Sequence, residues 1–166
     1  MNFLKNNKMK NILITGGGGY IGTNLTNELL NEGYNITVLD TFWFGNKFSK
    51  RKNLKILKRD VRDIKNVSFK NYYSIIHLAN IANDPSVELN PSLSWDINVF
   101  ASYEIIKKAI KENVKKFIYA SSGSVYGIKK ERFVTEELDL RPLSIYNRTK
   151  MIAERVFFSF SDKIKI

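Results

Sequence analysis

The strongest constraint in this sequence is a short apolar run that leads directly into four consecutive glycines. Asn11 to Thr15 reads NILIT, which has the length and composition of a strand buried in a parallel sheet. A helical period of apolar residues begins at Tyr20. The glycines fit two registers of one fingerprint, G-x-G-x-x-G (Gly17, Gly19, Gly22) and G-x-x-G-x-x-G (Gly16, Gly19, Gly22). A strand, a glycine turn and a helix in this order predict a dinucleotide-binding unit.

Both glycine registers meet the same physical need. The chain must turn sharply out of the strand, let its backbone approach a pyrophosphate, and pack its helix tightly on the sheet. The first helical turn then presents free N–H groups and the positive end of the helix dipole to the phosphates. We therefore predict cofactor contacts from the loop and the start of the helix: Gly16, Gly19, Tyr20, Ile21 and Gly22.

Asp40 indicates which dinucleotide is bound. It ends the second predicted strand, Asn35 to Asp40, and lies 21 residues after Gly19. A carboxylate at this position accepts hydrogen bonds from both ribose hydroxyls of NAD and repels the 2′-phosphate of NADP. We predict that the cofactor is NAD. A flexible turn followed by a surface aspartate is the alternative.

Strand and helix patterns alternate along the rest of the chain. Further strands are predicted at Leu54–Lys58, Ser74–Ala79 and Lys116–Ala120, helices at Tyr20–Glu32, Ser92–Asn113 and Ser144–Phe160, and the start of a sixth strand at Lys163–Ile166. This alternation predicts an α/β fold with a parallel sheet covered on both faces. Right-handed crossovers favour a Rossmann-type, doubly wound sheet with strand order 3-2-1-4-5.

Length and composition narrow the class of protein further. The length of 166 residues suits one domain, residues 1–166, with residues 1–9 as a flexible N-terminus. No apolar run reaches the roughly 18 residues of a membrane helix, and no signal-peptide pattern is present, so we expect a cytoplasmic protein with no membrane partner. The absence of cysteine and the single histidine, His77, give no support for a metal site.

The net charge of +11 raises the question of a nucleic-acid partner. The lysines are spread over predicted turns and helix faces, and the densest stretch, Lys47 to Arg62, alternates with apolar residues as a strand does. This distribution favours a solvated basic surface and no nucleic-acid partner. A polyanion-binding face is the alternative.

Three Tyr-x-x-x-Lys matches occur, and their context separates them. Tyr103 with Lys107 lies on the helix before strand 5, away from the carboxyl ends of the strands. Tyr126 with Lys130 lies in a loop flanked by glycine, where this spacing does not align side chains. Tyr146 opens a predicted helix, so Lys150 lies on the same face one turn later, with Ser122 just past strand 5. We predict that the Tyr146 pair is the functional one.

With these motifs in hand, the chain resembles the extended short-chain dehydrogenase/reductases, and within them the NAD-dependent epimerase/dehydratase family of nucleotide-sugar enzymes. The resemblance covers nearly the whole chain. It implies that Asp60 and Val61 contact the adenine, with Asp60 as partner of the adenine amino group. It implies that Leu78 and Ala79 run beside the cofactor and that Asn98, the family's asparagine near the active site, also contacts the cofactor. His77 is then a structural residue at a strand end and not a general base.

The resemblance also implies a catalytic trio of Ser122, Tyr146 and Lys150. A free tyrosine has a pKa of about 10, and a nearby ammonium lowers it, so that the phenolate can take a proton from a sugar hydroxyl. Lys150 is also expected to hydrogen-bond the nicotinamide ribose, and Ser122 to orient the reacting oxygen. Ser124 either contacts substrate or is an ordinary turn serine. Gly123 and Ser124 stand where the family's 4,6-dehydratases carry acids, which favours an epimerase over a dehydratase.

The family resemblance implies a nucleotide-sugar substrate and a homodimer formed through the helices at Ser92–Asn113 and Ser144–Phe160. Family members are about twice as long, and their C-terminal half builds the substrate pocket. We therefore expect a truncated chain that lacks the C-terminal substrate domain and is inactive by itself. An NAD-dependent sugar dehydrogenase or reductase, and a non-catalytic NAD-binding module, are the alternatives to the epimerase.

Overall fold

A computed structural model describes residues Lys10–Ile166. The predicted flexible N-terminus, residues 1–9, lies outside the described residues. Five parallel strands form the sheet: β1 (Asn11–Thr15), β2 (Asn35–Asp40), β3 (Leu54–Lys58), β4 (Ser74–His77) and β5 (Lys116–Tyr119). Their order is β3-β2-β1-β4-β5, which confirms the predicted topology. The change of direction lies between β1 and β4, where doubly wound sheets bind their ligands.

Side chains of successive strand residues point to opposite faces of the sheet, and both sets are buried in a core. Leu13 of β1 packs with Ile75 and Phe117 in a large core beneath the later helices. Ile14 of β1 packs with Val38 in a second core on the opposite face, against the first helix, α1 (Tyr20–Asn31). Alternation within one buried strand thus supplies both layers of the fold.

The predicted helix at Ser92–Asn113 has a more complex structure. It consists of α3 (Pro91–Trp95), a π-helical turn (Asp96–Ala101) and α4 (Ser102–Lys111), and a short helix, α2 (Asp84–Leu89), precedes it. The six residues of α2 are too few to show a helical period in the sequence. Capping explains its start instead, since the side chain of Asn83 accepts a hydrogen bond from the Ser86 N–H.

The remaining elements lie close to their predicted positions. The last helix, α5 (Ile145–Phe158), begins where the Ser144 hydroxyl accepts a hydrogen bond from the Asn147 N–H. β4 and β5 end at His77 and Tyr119, slightly earlier than predicted. The predicted start of a sixth strand is a single parallel bridge, in which the Phe117 N–H donates to the Lys165 carbonyl at 2.8 Å.

Candidate active site

The glycine loop is locked between β1 and the segment that follows β4. Gly16 has a φ of +72°, and a Cβ atom on it would lie 2.4 Å from the backbone nitrogen of Ala79. A Cβ atom on Gly22, in the first turn of α1, would lie 2.5 Å from the Gly17 Cα. Both positions therefore exclude every residue except glycine. Leu78 and Ala79, predicted to run beside the cofactor, lie directly against this loop.

The N-terminus of α1 opens at the end of the glycine loop. Gly19 is the N-cap, and because it has no side chain, it leaves the first-turn N–H groups without a side-chain cap. Tyr20 and Ile21, the first two helical residues, are 89% and 63% exposed. This arrangement has the two features that an anion-binding helix start needs, which are free N–H groups and room for the anion's oxygens.

Asp40 lies at the end of β2, within hydrogen-bond reach of the glycine loop. One carboxylate oxygen accepts the Gly18 N–H at 2.9 Å, and the other accepts the Phe42 N–H at 2.6 Å. Phe42 itself adopts a left-handed backbone conformation, with a φ of +56°. The carboxylate is thus fixed in one orientation. Its remaining lone pairs can accept two further hydrogen bonds.

Asp60 and Val61 lie beside Asp40, because the Arg59 N–H donates to the Asp40 carbonyl at 2.9 Å. Arg62 donates to both carboxylate oxygens of Asp60, at 3.0 Å and 2.7 Å, and its hydrogen bonds hold the pKa of Asp60 below its usual value. Val61 is buried in the larger core. The predicted adenine contacts of this segment therefore depend on the partly exposed Asp60 carboxylate and on the backbone around it.

Asn98 belongs to the π-helical turn and is 2% exposed. Its amide oxygen accepts the Ile81 N–H at 2.8 Å, and its amide nitrogen donates to the Ile81 carbonyl and to the Thr149 hydroxyl, both at 3.1 Å. These bonds tie the segment after β4 to α5. These bonds use both amide donors of Asn98 and show its structural role. Its direct contact with the cofactor remains a prediction.

Lys150 lies at the carboxyl end of β5. Its ammonium donates to the Ala120 carbonyl at 2.5 Å and lies 4.2 Å from the centroid of the Tyr119 ring. The residue is 3% exposed, and burial lowers the pKa of Lys150 to about 8, while the carboxylate of Glu154 acts in the opposite direction. At neutral pH this side chain is a buried, mostly charged group that faces the same edge of the sheet as the glycine loop.

Ser122 follows Ala120 by two residues, so the strand that holds Lys150 also delivers the serine. Its hydroxyl accepts the Ser124 N–H and lies 2.7 Å from the Ser124 hydroxyl, which starts a 3₁₀ turn at Gly123–Tyr126. Tyr146 is half-buried in the first turn of α5, one turn before Lys150. The structure therefore brings the three predicted catalytic residues to one end of β5, while Tyr103 lies half-exposed on α4 with Lys107 paired to Glu104.

His77 is fully buried in the core. Its two ring nitrogens lie 2.6 Å from the Thr15 hydroxyl and 2.8 Å from the Ser102 hydroxyl, so the imidazole links β1, β4 and α4. Burial, together with the Lys150 ammonium, lowers the pKa of His77 to about 3. This ring is neutral at every physiological pH. Its position fits the structural role that was predicted for it.

Several groups at the site leave no recognisable pattern in the sequence. The Ala120 carbonyl, which accepts from Lys150, is a backbone atom that any residue supplies. The left-handed Phe42 resembles an ordinary aromatic residue in sequence. Tyr119 looks like one more apolar strand residue, although its ring lies under the lysine. Among residues 10–166, no cluster of three or more His, Asp or Glu side chains could hold a metal ion, and no helix is long and apolar enough to cross a membrane.

Comparison with known proteins identifies the family. The profile of the NAD-dependent epimerase/dehydratase family matches residues 12–166. A UDP-glucose 4-epimerase of Lactobacillus helveticus is 30% identical over 156 residues, which cover 92% of this chain and 47% of the relative. The chain belongs to the NAD-dependent epimerase/dehydratase family, and it spans about half the length of the curated relatives it matches.

Solved structures show the same relationship. The UDP-N-acetylglucosamine 4-epimerase of Methanobrevibacter ruminantium, in complex with UDP-N-acetylmuramic acid, superposes with a TM-score of 0.87 at 28% identity, covering 96% of this chain and 53% of that one. MoeE5, in complex with UDP-glucuronic acid and NAD, gives a TM-score of 0.81 at 29% identity, covering 91% of this chain and 49% of that one. Both similarities extend over nearly the whole of this chain.

Proposed function

We propose that this chain is the cofactor-binding and catalytic half of an NAD-dependent nucleotide-sugar 4-epimerase acting on a UDP-sugar. The observation that carries this proposal is the joint position of Ser122, Tyr146 and Lys150 at the end of β5, on the sheet edge that also holds the glycine loop and Asp40. The names of the similar proteins supply the substrate class, because the relatives and structures described above are UDP-sugar 4-epimerases or hold a UDP-sugar.

The residues present fit NAD. A Cβ atom on Gly19, the N-cap of α1, would meet only the Gly16 carbonyl oxygen, at 3.4 Å, so a cradle of open space lies before the uncapped start of α1. We assign the pyrophosphate to this cradle and the adenosine ribose to Asp40, whose negative charge disfavours a 2′-phosphate. Asp60 is assigned to the adenine. Lys150 and Tyr146 are assigned to the nicotinamide ribose.

The proposed chemistry begins with a proton transfer at the Tyr146 hydroxyl. The Lys150 ammonium stabilises the phenolate of Tyr146, so that this oxygen can accept a proton from the sugar 4-hydroxyl and later return it. Ser122 donates a hydrogen bond to the same sugar oxygen as it becomes a carbonyl. Bound NAD would supply the hydride acceptor and donor at the sugar carbon, with no net change in the cofactor over one full cycle of an epimerase.

The residues at the 3₁₀ turn argue against water elimination. A dehydratase needs a group that donates a proton to the leaving hydroxyl. Gly123 and Ser124 follow Ser122, and neither carries an acid. The same trio would serve a simple dehydrogenase or reductase, which differs from an epimerase in releasing the reduced cofactor.

A chimera tests the proposal, because the matched chain covers about half of its relatives. Residues 12–166 are joined to the C-terminal half of the Lactobacillus helveticus enzyme, and NAD binding is confirmed by calorimetry before activity is assayed. With UDP-glucose we expect UDP-galactose in the proton NMR spectrum and no rise in absorbance at the NADH band. Tyr146→Phe should abolish turnover without weakening NAD binding by more than a few fold, since it removes the base and keeps the ring.

The other outcomes identify the alternatives. Stoichiometric NADH without UDP-galactose would show a dehydrogenase. A folded chimera that binds NAD and converts no UDP-sugar, while the parent enzyme does, would indicate a non-catalytic NAD-binding module.

We also propose that the protein forms a homodimer through the outer faces of the π-helical turn, α4 and α5. Three aromatic side chains there are 40 to 60% exposed, namely Phe100, Tyr103 and Phe158. Apolar side chains grouped on a helical surface are typical of a subunit interface. Light scattering of the purified chain should show a dimer, and Phe100→Glu should convert it to a monomer. An unchanged dimer in that variant would place the interface elsewhere.

A further inference from the structure

Two groups surround the Lys150 ammonium in place of water. The Ala120 carbonyl accepts a hydrogen bond from the ammonium at 2.5 Å, and the centroid of the Tyr119 ring lies 4.2 Å from the Lys150 nitrogen. Lys150 is 3% exposed, so few waters can reach it. A cation over an aromatic face is attracted by the ring quadrupole, and this attraction grows when both groups are desolvated.

The Tyr119 ring is itself held in place by other aromatic rings. Its centroid lies 4.5 Å from that of Phe157 and 6.0 Å from that of His77, which is nearly parallel to it at 24°. Packing on these rings turns one face of Tyr119 toward α5. The Tyr119 ring is therefore held in one orientation beneath the Lys150 ammonium.

The hydroxyl of Tyr119 does not explain why a tyrosine is present. It is buried and has no hydrogen-bond partner among residues 10–166. Burial raises the pKa of Tyr119 well above its usual value, and the Glu154 carboxylate adds to this, so the hydroxyl stays protonated. An unpartnered buried hydroxyl costs stability. What the residue contributes at this position is therefore its aromatic ring.

We propose that Tyr119 is a positioning residue for the proposed catalytic lysine: its ring face stabilises the ammonium form of Lys150 and fixes the nitrogen beside the Ala120 carbonyl, one helical turn from Tyr146. The mechanistic meaning of this contact rests on the proposed function, because only a charged lysine can stabilise the phenolate of Tyr146. The contact itself is a property of the folded chain without cofactor or substrate.

The charges around Lys150 show why such support matters. On α5, Glu154 is the nearby carboxylate that favours the ammonium, and the Tyr146 phenol lies one turn earlier. On β4, His77 is neutral, so it places no second positive charge against the lysine. On β5, the Tyr119 ring and the Ala120 carbonyl complete the surroundings. Because burial lowers the pKa of Lys150 to about 8, a further fall of one unit would leave half of the molecules without this charge at pH 7.

The test compares ring and hydroxyl by two substitutions at one position. The chain of 166 residues is labelled with carbon-13 at the lysine ε-carbons, and the Lys150 resonance is assigned by its loss in Lys150→Met. Its titration is then followed without cofactor in the unchanged chain, in Tyr119→Phe and in Tyr119→Leu. We expect Tyr119→Phe to titrate like the unchanged chain, and Tyr119→Leu to titrate about one pH unit lower, a tenfold change in the protonation ratio.

A second series keeps the shape of the ring and guards against misfolding of the leucine variant. Phenylalanine with one, two or three ring fluorines is placed at position 119, which weakens the quadrupole stepwise with little change in volume. The pKa of Lys150 should fall with each fluorine. An equal pKa in all ring variants and in Tyr119→Leu would overturn the proposal, as would an equal fall in Tyr119→Phe and Tyr119→Leu. NAD binding is not needed for this readout, so failure of the proposed epimerase function would be seen separately.

Discussion

Gly16→Ala is the substitution whose cost the structure defines best. Gly16 has a φ of +72°, which an L-residue adopts at a cost of about 1–2 kcal/mol. The new Cβ atom would also lie 2.4 Å from the nitrogen and 2.5 Å from the Cα of Ala79. These are backbone atoms, so no side-chain rotation relieves the contact, and crowding of this kind costs about 1–3 kcal/mol.

The expected loss is therefore about 2–5 kcal/mol in the free energy of unfolding, from a total of about 5–15 kcal/mol for a single domain. Two other glycines separate the contributions. Gly45 also has a positive φ, of +84°, but a Cβ atom there would meet nothing within 4 Å. Gly123 has neither a positive φ nor a neighbour within 4 Å.

Urea unfolding of the three alanine variants measures these contributions directly. Gly123→Ala should be close to neutral, Gly45→Ala should lose about 1–2 kcal/mol, and Gly16→Ala should lose clearly more. The difference between the last two variants is the energy of the contact with Ala79. If Gly16→Ala were no less stable than Gly45→Ala, the glycine loop would not be locked against the segment after β4, and our account of the loop would be wrong.

Three further outcomes follow from the side-chain chemistry. Asp40→Asn removes the charge and one acceptor beside the proposed ribose site. Calorimetry should then show an NAD affinity about tenfold lower and a smaller ratio of NAD affinity to NADP affinity. His77 is the single histidine, and burial lowers its pKa to about 3, so its protonation favours the unfolded chain. The free energy of unfolding should therefore fall as pH drops from about 6.5 toward 3. Urea midpoints measured at pH 7.5, 6.0 and 5.0 test this, and a flat profile would show that His77 is exposed. Burial raises the pKa of Glu112, but hydrogen bonds from the Phe69 N–H at 2.5 Å and from Lys108 outweigh this and hold the pKa below its ordinary value of 4.5. The stability that Glu112 contributes is therefore present above pH 4.5 and is lost as pH falls below it. Glu112→Gln should cost about 1–3 kcal/mol in the free energy of unfolding at pH 7 and should reduce the loss of stability at acid pH. An unchanged loss of stability at acid pH in this variant would contradict the assignment.

The strands and their order could be predicted because buried parallel strands carry a dense local signal. Asn11–Thr15 and Asn35–Asp40 are apolar runs bounded by glycines or loops, and the structure confirms both with the same residues. The glycine loop could be predicted equally well, because a position where any side chain would clash must be occupied by glycine, and glycines are visible in the sequence. Right-handed crossovers then left one reasonable strand order.

What could not be predicted depends on contacts distant in sequence. The π-helical turn at Asp96–Ala101 has ordinary helical residues, and it differs from an α-helix only in its backbone. The contact of Val61 with the cofactor stays a prediction, and the burial of its side chain in the core could not be read from the sequence, since it depends on how the segment packs on the sheet. The contact of Tyr119 with Lys150 leaves no pattern in the sequence, because it joins residues that are 31 positions apart.

A continuous set of close contacts links the glycine loop to the lysine at the other end of the site. Gly16 lies against Ala79, and two residues later Ile81 is bound through both backbone groups by Asn98. Asn98 in turn holds Thr149, whose neighbour Lys150 donates to the Ala120 carbonyl. Each of these contacts uses backbone or fully buried side-chain atoms, which tolerate little displacement. The position of the lysine relative to the glycine loop is therefore set by the packing of the folded chain before any cofactor binds, which is the preorganisation that a positioned general base requires.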